Sequence, residues 1–230
     1  MQIPRFSRVG MVTVAAALAL AACGNDSDAA EKDTATTAKA AAGAPAAPAV
    51  CPAVDGSSPR TLKFAAAPPM CIDPAKTYTA VVTTSKGDVT ITFDAVAAPK
   101  AVNNFVVLSR YHYYDGVAFH RIIPGFVVQG GDPNGNPAGT GDPGYTFADE
   151  LPKSAYELGA LAMANRGPNT NGSQFFIVTG NAGATLDRNY TKFGKVTAGM
   201  DVVMAIEKTG TASGTPSEKT TITKVVITEK

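Results

Sequence analysis

The feature that most restricts the fold is a succession of short strand-like segments in the C-terminal part of the sequence. Residues 78–84 and 88–93 alternate apolar and polar side chains, which is typical of strands with one buried face. The break Ser85-Lys86-Gly87 between them predicts a hairpin turn. Further strand-like segments follow at residues 117–123, 126–129, 158–164, 174–178, 191–196 and 221–228.

Two segments have helical spacing instead. Residues 99–111 begin with a proline, which suits the first turn of a helix, and residues 199–208 place Val202, Val203 and Ile206 on one face. About eight antiparallel strands with two amphipathic helices predict a mainly β fold, a closed eight-stranded barrel whose ends the helices cap. Residues 77–230 number about 150, enough for one domain with a substantial core.

The first 22 residues are typical of a lipoprotein signal peptide. Arg5 and Arg8 precede an apolar run at residues 9–22 that is too short to span a bilayer comfortably. The motif LAAC at residues 20–23 resembles a bacterial lipobox, in which the cysteine is lipidated and becomes the mature N-terminus. We therefore expect acyl chains such as palmitate on Cys23 to anchor the protein to the extracytoplasmic side of the cell membrane. An ordinary signal peptide, with Cys23 incidental, is the alternative.

A flexible tether is expected between the signal peptide and the domain, over residues 23–76. Residues 24–50 contain no aromatic side chain and cannot bury enough apolar surface to offset the entropy of ordering. If Cys23 carries lipid, Cys51 and Cys71 remain, and such a pair in an exported protein predicts a disulfide. It would close a loop in the tether. Two free thiols are the alternative.

Charge and acidic residues give little sign of nucleic-acid or metal binding. The chain has 20 Lys+Arg and 19 Asp+Glu, and a nucleic-acid surface needs a concentrated basic patch, so no nucleic-acid partner is expected. A calcium site is the alternative use of four acidic residues, but their spacing fits no established loop, and solvated loop positions are the preferred interpretation. These residues are Asp132, Asp142, Asp149 and Glu150.

Two segments carry side chains suited to a binding site. FHRIIPGFVVQGGD, at residues 119–132, combines Arg121, Phe126 and Gln129 on a short apolar run. MANRGPNTNGSQFFIV, at residues 163–178, supplies amides, glycines and paired phenylalanines. The first segment has no nucleophile, and its one potential acid or base, His120, is predicted to be structural and to point away from the site. The two segments indicate a site that grips a peptide and changes its shape.

These segments, together with LDRNYTKFGKV at residues 186–196, resemble the signature segments of the cyclophilin family of peptidyl-prolyl cis-trans isomerases. The similarity runs from about residue 78 to about residue 228, in the family's order and spacing. It implies an eight-stranded antiparallel barrel capped by two helices, and rotation about X–Pro bonds without cofactor, metal or covalent intermediate. Together with the predicted signal peptide, the resemblance leads us to expect that proline-containing segments of exported proteins are the substrates and that the protein assists their folding. We expect a monomer. A non-catalytic module that binds proline peptides is the alternative.

The resemblance assigns roles to individual residues. Arg121 matches the catalytic arginine, Phe126 the floor of the proline pocket, and Gln129 the glutamine that positions the peptide backbone. The residues implied in substrate binding are Val127, Asn165, Arg166, Gln174, Phe176, Leu186 and Tyr190. Taken singly, each has an ordinary explanation, such as a core phenylalanine or a turn asparagine. Their joint occurrence in family order favours the site.

Three positions depart from the family pattern. Arg166 stands where a small alanine is usual, Thr185 where many members carry tryptophan, and Tyr190 where a histidine is common. We expect these differences at the rim to affect substrate preference and inhibitor binding more than catalysis.

Overall fold

The structure, a computed structural model, describes residues 46–230. The predicted signal peptide, Cys23 and the first part of the tether lie outside the described residues. The elements in chain order are β1 (Tyr78–Thr84), β2 (Gly87–Phe93), α1 (Pro99–Arg110), β3 (Arg121–Ile123), β4 (Val127–Gly130), β5 (Ala160–Met163), β6 (Phe175–Val178), α2 (Asn181–Ala184), β7 (Lys192–Ala198), α3 (Met200–Glu207) and β8 (Ile222–Glu229). Each predicted strand and helix has a counterpart, and the short helix α2 is an addition. No helix in the described range is long and apolar enough to cross a membrane.

The eight strands form one curled antiparallel sheet in the order β3-β4-β6-β5-β7-β2-β1-β8. The prediction of a closed barrel is wrong, because the end strands β3 and β8 do not pair along their length within residues 46–230. A single bridge, Ala118 with Thr221, joins the segments that precede them. The outer edge of β3 is bonded to a loop instead: the Ile122 N–H donates to the Gly214 carbonyl at 2.8 Å, and the Ile122 carbonyl accepts the Thr211 N–H at 3.2 Å.

Helix α1 is buried along nearly its whole length and packs against β7 and β8. Pro99 lies at its start, and the Glu150 carboxylate accepts the N–H groups of Lys100 and Ala101 at 3.0 Å each, so that the first turn is satisfied. Phe105 stands at the centre of an aromatic cluster, with its ring centroid 4.9 Å from that of Tyr114 and 5.4 Å from that of Phe175. Helix α3 packs against β2, β3 and β4.

Residues 46–76, which we call the strap, pack against the domain. Phe64 is 2% exposed and Ile72 is 6% exposed, and both belong to the main hydrophobic core. Cys51 and Cys71 are joined by a disulfide, with their Cα atoms 5.4 Å apart. The expected flexible tether is therefore wrong for residues 46–76, and the folded domain extends N-terminal to residue 77. The composition of residues 24–50 gave no sign of this, because Phe64 and Ile72 lie beyond that stretch.

Candidate functional site

A row of side chains crosses four neighbouring strands on one face of the sheet. Arg121 on β3 is opposite Gln129 on β4, Gln129 is opposite Phe176 on β6, and Phe176 is opposite Ala162 on β5. Directly opposite residues in antiparallel strands share a face. The register therefore brings the predicted arginine, glutamine and one predicted aromatic wall together.

The Arg121 guanidinium lies between Gln129 and Phe126. Its Nη1 donates to Gln129 Oε1 at 3.3 Å, and its Cζ is 5.5 Å from the centroid of the Phe126 ring. Within residues 46–230 the guanidinium makes no other hydrogen bond, which leaves donors available to a substrate. Arg121 itself is half-buried, so its charge is held at the surface of the groove.

A chain of amide hydrogen bonds fixes the orientation of Gln129. Its Nε2 donates to Gln174 Oε1 at 3.1 Å, and Gln174 Nε2 donates in turn to the carbonyls of Gly139 and Gly141 at 2.9 and 3.0 Å. The Gln129 oxygen is thereby directed to Arg121. Gln174, predicted as a further polar contact, therefore also supports Arg121, the predicted catalytic residue, through Gln129.

The predicted apolar residues form a second hydrophobic cluster, separate from the main core. Phe126, Leu186 and Tyr190 are half-buried and pack against buried Phe176, whose ring is 5.4 Å from that of Tyr190 in an edge-to-face arrangement. Val127 belongs to the same cluster but is 2% exposed, so it packs behind the wall and offers a ligand almost no surface. The cluster provides a half-open apolar hollow beside Arg121.

The turn that carries Phe126 is held from two sides. The Gly125 N–H, at φ 71°, donates to Glu207 Oε1 on α3 at 2.7 Å. The Phe126 carbonyl accepts the Thr179 N–H at 3.0 Å, and a Cβ on Gly183 of α2 would collide with that carbonyl. Sequence reasoning did not identify Glu207, because its partner lies 82 positions away and no local motif marks the pair.

Tyr156 is a second supporting residue that the sequence did not reveal. Its hydroxyl donates to the Tyr190 carbonyl at 2.8 Å and accepts the Tyr190 N–H at 3.1 Å. Burial raises the pKa of Tyr156 above its ordinary value, which is already well above neutral pH, so the hydroxyl is protonated and can donate. Tyr156 thus holds the backbone of the Tyr190 rim in place.

Asn165 and Arg166 lie at the end of β5, across from residues 139–141. Asn165 is half-buried and its Nδ2 donates to the Asn189 carbonyl at 3.0 Å. Arg166 is exposed, and its Nη2 donates to the Gly139 carbonyl at 2.9 Å. Thr185, the third departure from the family pattern, is exposed at the end of α2.

A cavity of about 520 Å³ adjoins this row, and Gln129, Gln174, Asn165 and Arg166 line part of it. Its far wall is formed by residues 139–146, among which Asp142 and Tyr145 line the cavity. Gln129 thus lines the cavity and also bonds to Arg121, whose guanidinium lies over Phe126 beside the apolar hollow.

The prediction that His120 points away from the site is wrong. Its Nε2 lies 3.5 Å from Gln129 Nε2, so the ring borders the amide chain. The alternation of a regular strand does not extend to His120, because β3 begins at Arg121. Burial lowers the pKa of His120, which favours the neutral ring beside the Arg121 cation.

The four acidic loop residues have separate structural partners. Asp132 accepts the Asn134 and Gly139 N–H groups, and Asp149 accepts the Asn169 N–H at 2.7 Å. Asp142 pairs with Lys63, and Glu150 caps α1 as described above. Within residues 46–230 no cluster of three potential metal ligands is present.

Known proteins are similar to this chain over the residues that form the sheet and the site. A family model described as cyclophilin type peptidyl-prolyl cis-trans isomerase/CLD matches residues 79–227. Peptidyl-prolyl cis-trans isomerase A of Mycobacterium tuberculosis is 42% identical over 174 residues, which cover 67% of this chain and 94% of the relative. Peptidyl-prolyl cis-trans isomerase B of Streptomyces anulatus is 45% identical over 172 residues, covering 64% of this chain and 95% of the relative.

Solved structures show the same fold. A cyclophilin type peptidyl-prolyl cis-trans isomerase of Cryptosporidium parvum superposes with a TM-score of 0.62 at 36% identity, covering 67% of this chain and 99% of its own. The same protein in the presence of the dipeptide Ala-Pro gives a TM-score of 0.61. The family match covers the three helices, every residue of the row that begins at Arg121, and all of the sheet except the end residues of β1 and β8. This chain belongs to the cyclophilin-type peptidyl-prolyl cis-trans isomerase family.

Proposed function

We propose that this protein catalyses cis–trans isomerisation of X–Pro bonds in exported proteins, and that it does so while anchored to the extracytoplasmic face of the cell membrane through lipid on Cys23. The observation that carries the catalytic part is the placement of Arg121 between the Gln129 amide and the Phe126 ring, next to an apolar hollow. The presence of Ala-Pro with the Cryptosporidium parvum relative supports a proline-containing ligand.

The chemistry requires a donor more than a proton relay. Rotation about an X–Pro bond crosses a barrier of about 18–20 kcal/mol, because the amide has partial double-bond character. Twisting the bond uncouples the nitrogen lone pair from the carbonyl, and that lone pair then accepts a hydrogen bond that the planar amide cannot. Arg121 is always charged and offers several donors, so it binds the twisted state better than the planar one.

The remaining residues divide the work of holding the substrate. The hollow formed by Phe126, Phe176 and Leu186 would keep the proline ring still while the preceding carbonyl turns. Gln129, fixed by Gln174, would hold the peptide backbone beside the guanidinium. Side chains make these contacts with the substrate, and no covalent bond is made or broken during the rotation.

A protease-coupled assay on an X–Pro peptide tests the catalytic part. The wild-type domain should accelerate isomerisation, and Arg121→Ala should lower kcat/KM by at least about tenfold, since a hydrogen bond to a charged donor contributes about 1.5–3 kcal/mol. Lys224→Ala is the matched control, because it removes an exposed cation from β8. A wild-type domain without activity would leave only a proline-peptide binding module.

The membrane part rests on the sequence of the N-terminus. The LAAC motif follows an apolar run, and a disulfide between Cys51 and Cys71 suits an oxidising, extracytoplasmic compartment. Mass spectrometry of the mature protein should find acyl chains on Cys23, and Cys23→Ser should release the protein from the membrane fraction. An unmodified Cys23 would contradict the anchor and leave the isomerase intact. Light scattering of the soluble domain should give the mass of a monomer.

A further inference from the structure

The strap contacts one wall of the 520 Å³ cavity beside the row of side chains that begins at Arg121. The Phe64 N–H donates to the Pro143 carbonyl at 2.8 Å, and Lys63 Nζ lies 2.8 Å from Asp142 Oδ1. The Phe64 ring packs edge-on against Tyr145, with centroids 6.3 Å apart. Asp142 and Tyr145 line the cavity, whereas the strap precedes residues 79–227, which match the family. The strap therefore adds contacts to this wall from outside the family domain.

The wall that the strap holds continues into the cavity floor. Tyr145 donates its hydroxyl to Asn104 Oδ1 at 2.6 Å, and Asn104 Nδ2 donates to the Gly172 carbonyl at 2.8 Å. Gly172 also lines the cavity, and Asn104 is 2% exposed. Gly144 has φ 99°, and a Cβ there would collide with the Phe64 carbonyl. The strap thus lies in close contact with the wall and fixes its position.

The charged groups at the cavity, counted together with Lys63 of the strap, carry a net positive charge. Asp142 and Arg166 are the charged residues that line the cavity. The Lys63 ammonium, followed by the Gly144 N–H and the Arg166 charge, lowers the pKa of Asp142, so the carboxylate stays ionised and paired with Lys63. Arg166 donates to the neutral Gly139 carbonyl and has no carboxylate within ion-pair distance in the described structure. The three groups together leave one positive charge.

We infer that the strap makes this cavity a substrate-selecting subsite: with Lys63 on Asp142, Arg166 is left to attract an acidic side chain of the peptide whose X–Pro bond lies beside Arg121. The inference rests on the proposed isomerase function and adds a substrate class to it. Lys63 is a positioning residue, because it acts through Asp142. A glutamate side chain fits easily within about 520 Å³.

The test is a panel of otherwise identical X–Pro peptides with Glu, Gln or Lys at each position near the proline. For the wild-type enzyme we expect one position at which Glu exceeds Lys in kcat/KM by about fivefold, which is the size of a partly exposed ion pair. The difference should reside in KM, because the acidic side chain would contact Arg166, whereas Arg121 contacts the rotating bond. It should also shrink at high salt, because the screening length shortens.

Variants assign the preference to the residues. Arg166→Gln should bring the ratio of kcat/KM for the Glu peptide to that for the Lys peptide close to one. Lys63→Met should lower it by about two- to fivefold, while Lys63→Arg keeps it, and both Lys63 variants should turn over the Gln peptide like the wild type. An unchanged ratio in Lys63→Met would overturn the role of the strap. If Lys63→Met is poorly folded, as judged by its unfolding transition, the salt dependence of the wild-type ratio decides: a ratio that does not change with salt contradicts charge selection.

The outcomes separate this inference from the proposed function. Equal rates for the Glu and Lys peptides at every position on an active enzyme would contradict the acidic preference alone. An absence of acceleration for every peptide, the Gln peptides included, would contradict the isomerase itself.

Discussion

Glu207 on α3 accepts the Gly125 N–H at 2.7 Å, so that a helix distant in sequence holds the turn that leads into Phe126. Gly125 is exposed, whereas the Glu207 carboxylate belongs to a residue that is 8% exposed. The bond therefore links the packed side of the domain to the turn beside the apolar hollow.

Replacing Glu207 should disturb the site as well as the fold. Glu207→Ala removes the acceptor, and we expect a loss of about 1 kcal/mol in the free energy of unfolding together with a fall in kcat/KM. Glu207→Gln retains an amide oxygen and should recover most of both. Glu218→Ala, which removes an exposed carboxylate paired with Lys86, is the control for charge. Wild-type kinetics in Glu207→Ala would show that the turn keeps its conformation without this hydrogen bond.

The disulfide should contribute to stability through the strap. Cys51 and Cys71 close a loop with a sequence separation of 20 residues, for which chain-entropy arguments give about 3 kcal/mol. Denaturation in urea should therefore show a lower midpoint for the Cys51→Ser, Cys71→Ser double variant. The wild type should approach that midpoint when a reductant is added, and the double variant should not respond. An insensitive wild type would contradict the contribution of the disulfide.

His120 should make stability depend on pH just below neutrality. Burial lowers its pKa below the ordinary value of 6.5, so the unfolded chain takes up a proton before the folded chain does. This favourable contribution is present above pH 6.5 and is lost as the pH falls towards the folded pKa. Between about pH 7.5 and about pH 5, the wild type should lose more unfolding free energy than His120→Gln.

Two ion-paired carboxylates, those of Asp142 and Glu229, do not interfere in this window. The Lys63 ammonium lowers the pKa of Asp142 from 3.8, and Arg110 lowers that of Glu229 from 4.5, so both contributions are lost only at still lower pH. Equal pH profiles for the wild type and His120→Gln would remove His120 as the cause.

Much of the fold followed from local pattern. Alternation in β1 and β2 is matched by the alternating burial of residues such as Tyr78, Ala80 and Val82, and the proline at the start of α1 marked its first turn. Local pattern could not show whether the two end strands of the sheet pair with each other. That depends on which partner the edge of β3 meets, and the loop around Gly214 occupies that edge instead of β8.

Part of the site could also be predicted from local sequence. Arg121, Phe126 and Gln129 lie within nine positions in one motif, and strand register brings them together. Glu207, Tyr156 and Lys63 reach the site from remote parts of the chain, and their spacing carries no periodic signal. The prediction of a tether is wrong for the strap because Phe64 is its one aromatic side chain, and alanines and prolines follow it.

If Arg121 binds the twisted amide in preference to the planar one, NMR exchange spectroscopy on an X–Pro peptide at equilibrium should reveal it. Lysine keeps the charge of Arg121 but loses its planar fork of donors. In Arg121→Lys, the Kd for the peptide should therefore change by less than about twofold, while the catalysed exchange rate falls by about tenfold or more. An Arg121→Lys variant that exchanges the peptide as fast as the wild type, or that loses rate only in proportion to binding, would show that Arg121 does not bind the twisted amide preferentially.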